Sequence, residues 1–181
     1  MKVIKKAGEG RHGVVFQVEA QDNKAVYALK TLKSLDAESL ESLSKESSKA
    51  FKWQQLKIPH SKILVQEKEF VLKTWIHGTS DEEVIQKFAS GDQSYKPAAD
   101  KIIKLVTQIL QQGAYVGDFR PANLIWNGKA WVIVDSGSIQ QGMSFDDAYV
   151  QWSRADKRGP KFGRRWQLPL PKILKCEALF L

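Results

Sequence analysis

Three glycines near the N-terminus, followed by a lysine on a later apolar segment, are the residues of this chain whose types and spacing best suit chemistry. They are Gly8, Gly10, Gly13 and Lys30. Glycine lets backbone N–H groups approach phosphate oxygens that a side chain would push away, and a lysine ammonium pairs with the same oxygens. This spacing predicts a binding site for the phosphates of a nucleotide.

A second group of polar residues lies far downstream. Asp118, Arg120 and Asn123 share one short segment, and Asp135 follows a pair of apolar stretches. An aspartate can accept the proton of an attacking hydroxyl, and an arginine can neutralise phosphoryl oxygens. Asn123 and Asp135 offer hard oxygen ligands for Mg²⁺. Because phosphoryl transfer needs little beyond positioning and charge neutralisation, we expect Asp118, Arg120, Asn123 and Lys30 to be catalytic.

The elements that must position the glycines and Lys30 are strands. Alternation of apolar and polar residues predicts one strand leading into the glycine loop, a second over 14–20 and a third over 25–32. A dinucleotide-binding fold needs a helix directly after its glycine loop, so the strand that follows Gly13 argues against that alternative.

Residues 36–56 are predicted to form one helix, because their apolar members recur near one face. Glu46 lies at helical spacing with that face, so we expect its carboxylate to point to the interior. An inward-facing Lys30 needs such a partner, since an unpaired buried ammonium is costly. Glu41 is the competing partner, but it lies off the apolar face.

The rest of the chain adds strands and then helices, which indicates an α+β fold with two lobes. The predicted elements are strands over 63–66 and 70–76, a mostly polar loop over 78–97 with a short helix near 83–88, a helix over 98–112, and a hairpin of 124–126 and 131–134 around a two-residue Asn127-Gly128 turn.

Composition restricts the setting in which this chain works. No apolar run is long enough for a membrane span, and the single cysteine, Cys176, fits a reducing compartment. We expect a cytoplasmic protein, in the cell that makes it or in the cytosol of a host cell into which it is delivered. Most of the net charge of +8 lies in 151–181. This segment favours an acidic partner over nucleic acid, because no nucleic-acid-binding motif accompanies the charge.

From Gly8 to about Gly137 the chain resembles the protein-kinase-like superfamily, with the motifs in the correct order. The glycines resemble the glycine-rich loop, residues 27–30 resemble the V-A-I-K strand, and Glu46 is similar to the helix-C glutamate. Residues 118–123 resemble the catalytic loop, and Asp135-Ser136-Gly137 resembles D-F-G.

The resemblance implies a site for ATP with Mg²⁺, or Mn²⁺ in its place. The glycine loop, Lys30 and Glu46 would hold the phosphates, and Asn123 and Asp135 would hold the metal. Residues 70–78 resemble the strand and hinge that hold adenine, with Lys73 near the gatekeeper position. The side chains implied to contact the base are Val15, Ala28, Thr74, Trp75, Ile76 and Ile125.

The chain departs from the superfamily pattern in several places. Gly117 replaces the arginine of His-Arg-Asp, Ser136 replaces the phenylalanine of D-F-G, and the chain after Gly137 is too short for the usual large helical lobe. The resemblance therefore implies a minimal bilobal kinase, similar in economy to RIO-type and other small atypical kinases. We expect an antiparallel β-sheet N-lobe plus one helix over 1–77, and a reduced, mostly helical C-lobe over 78–181.

Three functions are compatible with these residues. The first is a serine/threonine protein kinase, because D-x-[KR]-P-x-N is closer to protein kinases than to small-molecule kinases. The second is a kinase of a sugar, lipopolysaccharide core or other small hydroxyl compound, which Gly117-Asp118 favours. The third is a pseudokinase-like binding or scaffold module. The joint presence of five site residues argues against the third: Lys30, Glu46, Asp118, Asn123 and Asp135.

Overall fold

The computed structural model describes residues 1–116, 123–135 and 139–158, with 152–158 described as helix backbone only. The chain divides into two compact units. The first comprises Met1–Trp53 and His60–Ile76, and the second comprises Gln54–Pro59 and the chain from His77 onward. Within these described ranges, no helix is both long and apolar enough to cross a membrane.

The first unit contains five strands and two helices: β1 (Lys2–Glu9), β2 (Gly13–Glu19), β3 (Val26–Leu32), α1 (Ala37–Ser44), α2 (Glu46–Gln55), β4 (Ile63–Gln66) and β5 (Phe70–Thr74). The strands form one antiparallel sheet in the order β1-β2-β3-β5-β4, so the predicted antiparallel sheet is confirmed. Sheet and helices both contribute to the interior of the unit, where Val18, Val71, Leu43 and Trp53 are buried.

The predicted single helix over 36–56 is wrong, because the structure divides it into α1 and α2. The side chain of Gln66, on β4, accounts for the break. Its Nε2 donates to the carbonyl of Leu43 at 3.2 Å, and Ser47 N donates to its Oε1 at 3.0 Å. In a continuous helix Ser47 N would donate to Leu43 O directly. The Gln66 amide is therefore inserted into that bond, and α2 begins at Glu46.

The described part of the second unit combines helices with two small antiparallel sheets. Its elements are β6 (Thr79–Ser80), α3 (Asp81–Ala89), a short 3₁₀ turn (Gln93–Tyr95), α4 (Lys96–Gln111), β7 (Tyr115–Val116), β8 (Leu124–Trp126), β9 (Trp131–Ile133), β10 (Ile139–Gln140) and α5 (Phe145–Arg158). Strands β6, β8 and β9 form one sheet, and β7 pairs with β10 in the other.

Helix α4 supplies much of the core of this unit. Ile102, Val106 and Ile109 are fully buried, as the apolar stripe predicted for 98–112 requires. The helix begins slightly earlier than predicted because Pro97 lies in its first turn, where the missing N–H of proline leaves no bond unmade.

A glycine follows α4 and makes the turn that leads into β7. Gly113 has a φ of +62°, and its N–H donates to Leu110 O at 2.9 Å. A Cβ at this position would lie 2.1 Å from the carbonyl oxygen of Met143. The left-handed turn and the close backbone approach both require glycine here.

Two further predictions for the second unit are wrong. Residues 78–97 are not mostly loop, since helix α3 and the start of α4 occupy much of that range. The turn between β8 and β9 spans four residues, 127–130, instead of two. The Asn127 side chain explains the longer turn, because its Oδ1 accepts from the N–H groups two and three residues later, at 2.9 and 2.8 Å.

Candidate active site

The centre of the candidate site in the first unit is an ion pair between β3 and α2. Lys30 Nζ donates to Glu46 Oε1 at 2.8 Å, and the Glu46 side chain is only 3% exposed. The start of α2 at Glu46 places the carboxylate on the buried side of the helix. The competing partner, Glu41, instead binds Lys45 on the surface at 2.5 Å. The part that the pair plays in binding phosphates stays a prediction.

Two more lysines converge on the same carboxylate. Lys73 Nζ, from β5, donates to Glu46 Oε2 at 2.5 Å, and Lys49 Nζ lies 3.6 Å from Oε1. Sequence reasoning gave neither lysine a role at Glu46. The sequence does contain a pattern that indicates a buried Lys73. This lysine lies two residues after Val71 on an apolar strand, so the two side chains face the same side of the sheet.

The surroundings of Glu46 keep its carboxylate ionised. Burial acts to raise the pKa of Glu46, but the charges of Lys73 and Lys30 and their hydrogen bonds outweigh it. The net result lowers the pKa from 4.5 to about 2. Because a buried carboxylate is stable as an anion only with paired cations, this cluster depends on both strand lysines.

The predicted phosphate loop connects β1 to β2. Gly10 N donates to Gly13 O at 2.9 Å, which closes the loop on itself. A Cβ at Gly13 would lie 2.6 Å from the backbone oxygen of Thr31, so the sheet itself requires glycine there. At Gly8 and Gly10 a Cβ would meet no protein atom closer than 4.0 Å. These two positions therefore leave open space beside the backbone, as a loop that receives a phosphate needs.

The residues predicted to contact the base in the first unit lie on the central strands or just after them. Val15 pairs with Lys30 across β2 and β3, and Ala28 pairs with Lys73 across β3 and β5. Thr74 ends β5, and its hydroxyl accepts from Lys62 N at 2.9 Å.

Trp75 and Ile76 follow β5 as half-buried irregular chain, so the strand predicted to run to residue 76 is two residues too long. The contact of the Thr74–Ile76 stretch and its neighbours with adenine stays a prediction.

In the second unit one hairpin carries both predicted metal ligands. Leu124 pairs with Ile133, and Val134 N donates to Asn123 O at 2.9 Å, which extends the ladder by one step. Asn123 and Asp135 therefore emerge at the same open end of the β8–β9 hairpin. An amide oxygen and a carboxylate match the oxygen ligands that Mg²⁺ takes in proteins, so this donor set fits the implied metal.

The other strand residues of the hairpin serve partly to anchor it. Ile125, predicted to contact the base, is half-buried and pairs with Val132. Its neighbours are core residues: Trp126 packs on Trp131 with ring centroids 5.6 Å apart, and Trp131 Nε1 donates to Ala98 O at 2.7 Å. The hairpin that presents Asn123 and Asp135 is thereby fixed to α4.

Several predicted site residues lie outside the described ranges. These include Asp118 and Arg120, together with Ser136 and Gly137 of the second motif. Val116, which directly precedes 117–122, pairs with Ile139, which directly follows 136–138. This pairing joins β7 to β10.

This fold has a counterpart among solved structures. A crystal structure of a kinase domain superposes with a TM-score of 0.56 over 77% of this chain, at 17% sequence identity. The chain has a protein-kinase-like fold. The predicted protein-kinase-like fold and the α+β class are thereby confirmed. The match spans about half, 51%, of the kinase-domain structure.

Comparison of the amino-acid sequence with known families and curated proteins finds no relative. No family model matches the chain, and no curated protein matches it.

Proposed function

We propose that this chain is a phosphotransferase that moves the γ-phosphoryl group of ATP to a hydroxyl acceptor with the help of Mg²⁺ or Mn²⁺. The observation that carries the proposal is the buried Lys30–Glu46 pair between β3 and α2. The kinase-like fold supports it.

The pair suits phosphate binding for a physical reason. An ammonium has three N–H donors, which allows Lys30 to bind a carboxylate and phosphate oxygens together. The Lys30 side chain is 17% exposed while Glu46 is 3% exposed, so the carboxylate lies deeper than the ammonium that it orients. Glu46 thus holds the lysine in place from the buried side, and the carboxylate does not occupy the solvent side on which a phosphate would bind.

The remaining roles follow from residue chemistry. Asn123 and Asp135 would hold Mg²⁺, which neutralises phosphate charge when it is bound. Asp118 would accept the proton of the acceptor hydroxyl as the hydroxyl oxygen attacks the γ-phosphorus and the bond from that phosphorus to ADP breaks. Arg120 would offset the charge on the phosphoryl oxygens. Backbone N–H groups at Gly8 and Gly10 would approach the phosphates, where no side chain blocks them.

We propose a serine or threonine side chain of a protein as the acceptor, because the 118–123 segment is closer to the protein-kinase catalytic loop than to that of small-molecule kinases. A small hydroxyl compound is the alternative acceptor, favoured by Gly117 before Asp118. The basic C-terminal segment would provide a docking surface for an acidic partner.

The deciding experiment incubates the purified protein with Mg²⁺ and γ-labelled ATP, beside an Asp118→Ala control. Label in the protein itself or in a generic protein substrate, absent from the control, would support a protein kinase. ATP loss that depends on Asp118 without protein labelling would indicate a small acceptor. Nucleotide binding without any turnover, tested with candidate acceptors, would contradict the proposed reaction and favour a scaffold.

A further inference from the structure

The two oxygens of Glu46 are held by lysines from two different strands. Lys30 on β3 binds Oε1, and Lys73 on the neighbouring β5 binds Oε2. Lys73 is 7% exposed and Glu46 is 3% exposed, so both partners of this second pair are buried. A helix whose only link to the sheet were the first pair could move away by breaking one contact. Here two contacts must break together.

The backbone on either side of Glu46 is tied to the sheet as well. Gln66 Oε1, on β4, accepts a hydrogen bond from Ser47 N at 3.0 Å. Its Nε2 donates to the carbonyl oxygens of Leu43 and Ser44, each at 3.2 Å. The first turn of α2 is therefore fixed to one strand by an amide, while the side chain of Glu46 is fixed to two others.

We propose that Lys73 is a positioning residue that ties α2 to β5 and keeps Glu46 beside Lys30 whether or not a nucleotide is bound. The anchoring stands on the geometry alone. Its consequence for phosphoryl transfer, that α2 is permanently assembled and does not act as an on–off switch, rests on the proposed function.

Electrostatics explains why the anchor is strong. If α2 moved away from the sheet, Lys73 would lose its carboxylate in a buried position, and an uncompensated buried charge is strongly destabilising. Lys49 does not contribute to this tie. It lies on α2 itself, three residues after Glu46, and moves with the carboxylate.

A double-mutant cycle on the free energy of unfolding tests the anchor. The variants are Lys30→Met, Lys73→Met and the double substitution, each unfolded in urea. Each single variant leaves Glu46 with one strand lysine, whereas the double variant leaves neither. We expect the folding equilibrium constant of the double variant to fall at least roughly tenfold below the product of the single effects. Additivity within about twofold would overturn the proposal.

Lys49→Met combined with Lys30→Met is the matched control for the cycle. It removes a lysine from the same carboxylate but leaves the Lys73 link between α2 and β5 intact. We expect this pair to be close to additive. Coupling as large as that of the Lys30 and Lys73 pair would show that the cycle reports only local charge, and it would overturn the anchor.

Hydrogen–deuterium exchange on the unmodified protein gives a test that does not depend on whether any variant folds. Amides of residues 47–50 are expected to exchange at the same slow rate with and without Mg²⁺ and a non-hydrolysable ATP analogue at a concentration shown to bind. A tenfold or greater gain in protection on adding the analogue would mean that the nucleotide orders α2, and the proposal would be wrong.

The consequence for the reaction is separable from the anchor. In Lys73→Met the KM for ATP is expected to rise while the KM for the acceptor stays unchanged, and Lys73→Arg is expected to restore part of the loss. An equal rise in both KM values would indicate general loosening and overturn the positioning role. Absence of turnover in the unmodified protein would refute the proposed function, while the unfolding cycle would still decide the anchor.

Discussion

Lys30 Nζ lies 2.8 Å from Glu46 Oε1, although the two residues are sixteen positions apart and belong to a strand and a helix. The pair connects β3 to α2 in a part of the first unit where the carboxylate is almost fully buried. The proposed chemistry therefore depends on a contact that, together with the Lys73–Glu46 pair, also holds α2 against the sheet.

Replacement of Lys30 is expected to remove transfer while leaving the fold largely intact. In Lys30→Met the carboxylate of Glu46 keeps Lys73 as a buried partner, so it is not left uncompensated. Loss of one charge-stabilising group in the site predicts a fall in turnover of roughly a hundredfold or more. Label transfer from ATP measures the activity, and urea unfolding measures the fold. Lys5→Met, on the exposed edge strand, is the control; turnover near the control level would refute the role of Lys30.

Stability is expected to depend on Glu46 at acid pH. The folded-state pKa of Glu46, about 2, is below the ordinary glutamate value of 4.5, so the unfolded chain binds a proton more readily. The stabilisation is therefore complete above pH 4.5 and is lost as the pH falls toward 2. Its full size is roughly 3 kcal/mol. Urea unfolding of the wild type and of Glu46→Gln between pH 2 and 6 measures it as a difference that shrinks with acid.

The difference between the two proteins isolates Glu46 from other carboxylates. The pKa of Glu9 is also lowered to about 2, chiefly by a hydrogen bond from Lys33, and that of Asp36 to about 2, chiefly by a hydrogen bond from Ser34. Both carboxylates are present in the wild type and the variant, so their contributions cancel. A difference that does not change with pH would contradict the lowered pKa of Glu46.

An added methyl group is expected to destabilise the fold at Gly13 and to be tolerated at Gly8. In Gly13→Ala the Cβ would meet the backbone oxygen of Thr31 at 2.6 Å, so β2 and β3 must separate locally. Overpacking of this kind costs about 1–3 kcal/mol. Gly8→Ala is the matched control, because its Cβ meets nothing within 4 Å. Thermal unfolding of both variants decides the matter; equal melting temperatures would refute the steric argument.

Removal of the Asp135 charge is expected to weaken nucleotide binding only when Mg²⁺ is present. Asp135→Asn keeps the size of the side chain but loses the carboxylate that the hard cation prefers. Nucleotide affinity measured by calorimetry with Mg²⁺ and with EDTA gives the two values to compare. Asp100→Asn, a surface aspartate paired with Lys96, is the control. An unchanged metal dependence would reject Asp135 as a ligand.

Much of the first unit could be predicted because the relevant forces are local. Alternation marked the strands, and the apolar face on which Glu46 lies directed its carboxylate inward. The same logic located α4, whose stripe of Ile102, Val106 and Ile109 is fully buried. These features depend on periodicity and side-chain size, which are properties of short segments.

Other features depend on residues that are distant along the chain. The break between α1 and α2 could not be predicted from 36–56, because the group that makes it, the amide of Gln66, comes from β4. The four-residue turn at 127–130 depends on which hydrogen bonds the Asn127 side chain makes once β8 and β9 are paired.

The sequence by itself determined the class of fold, the strand that carries Lys30 and the helix face that carries Glu46, since spacing and hydrophobicity are written into neighbouring residues. Only the tertiary structure decided that Lys73 shares Glu46 with Lys30. The physical reason is that a buried carboxylate takes its cations from whichever strands pack against it, and strand order is a property of the whole sheet.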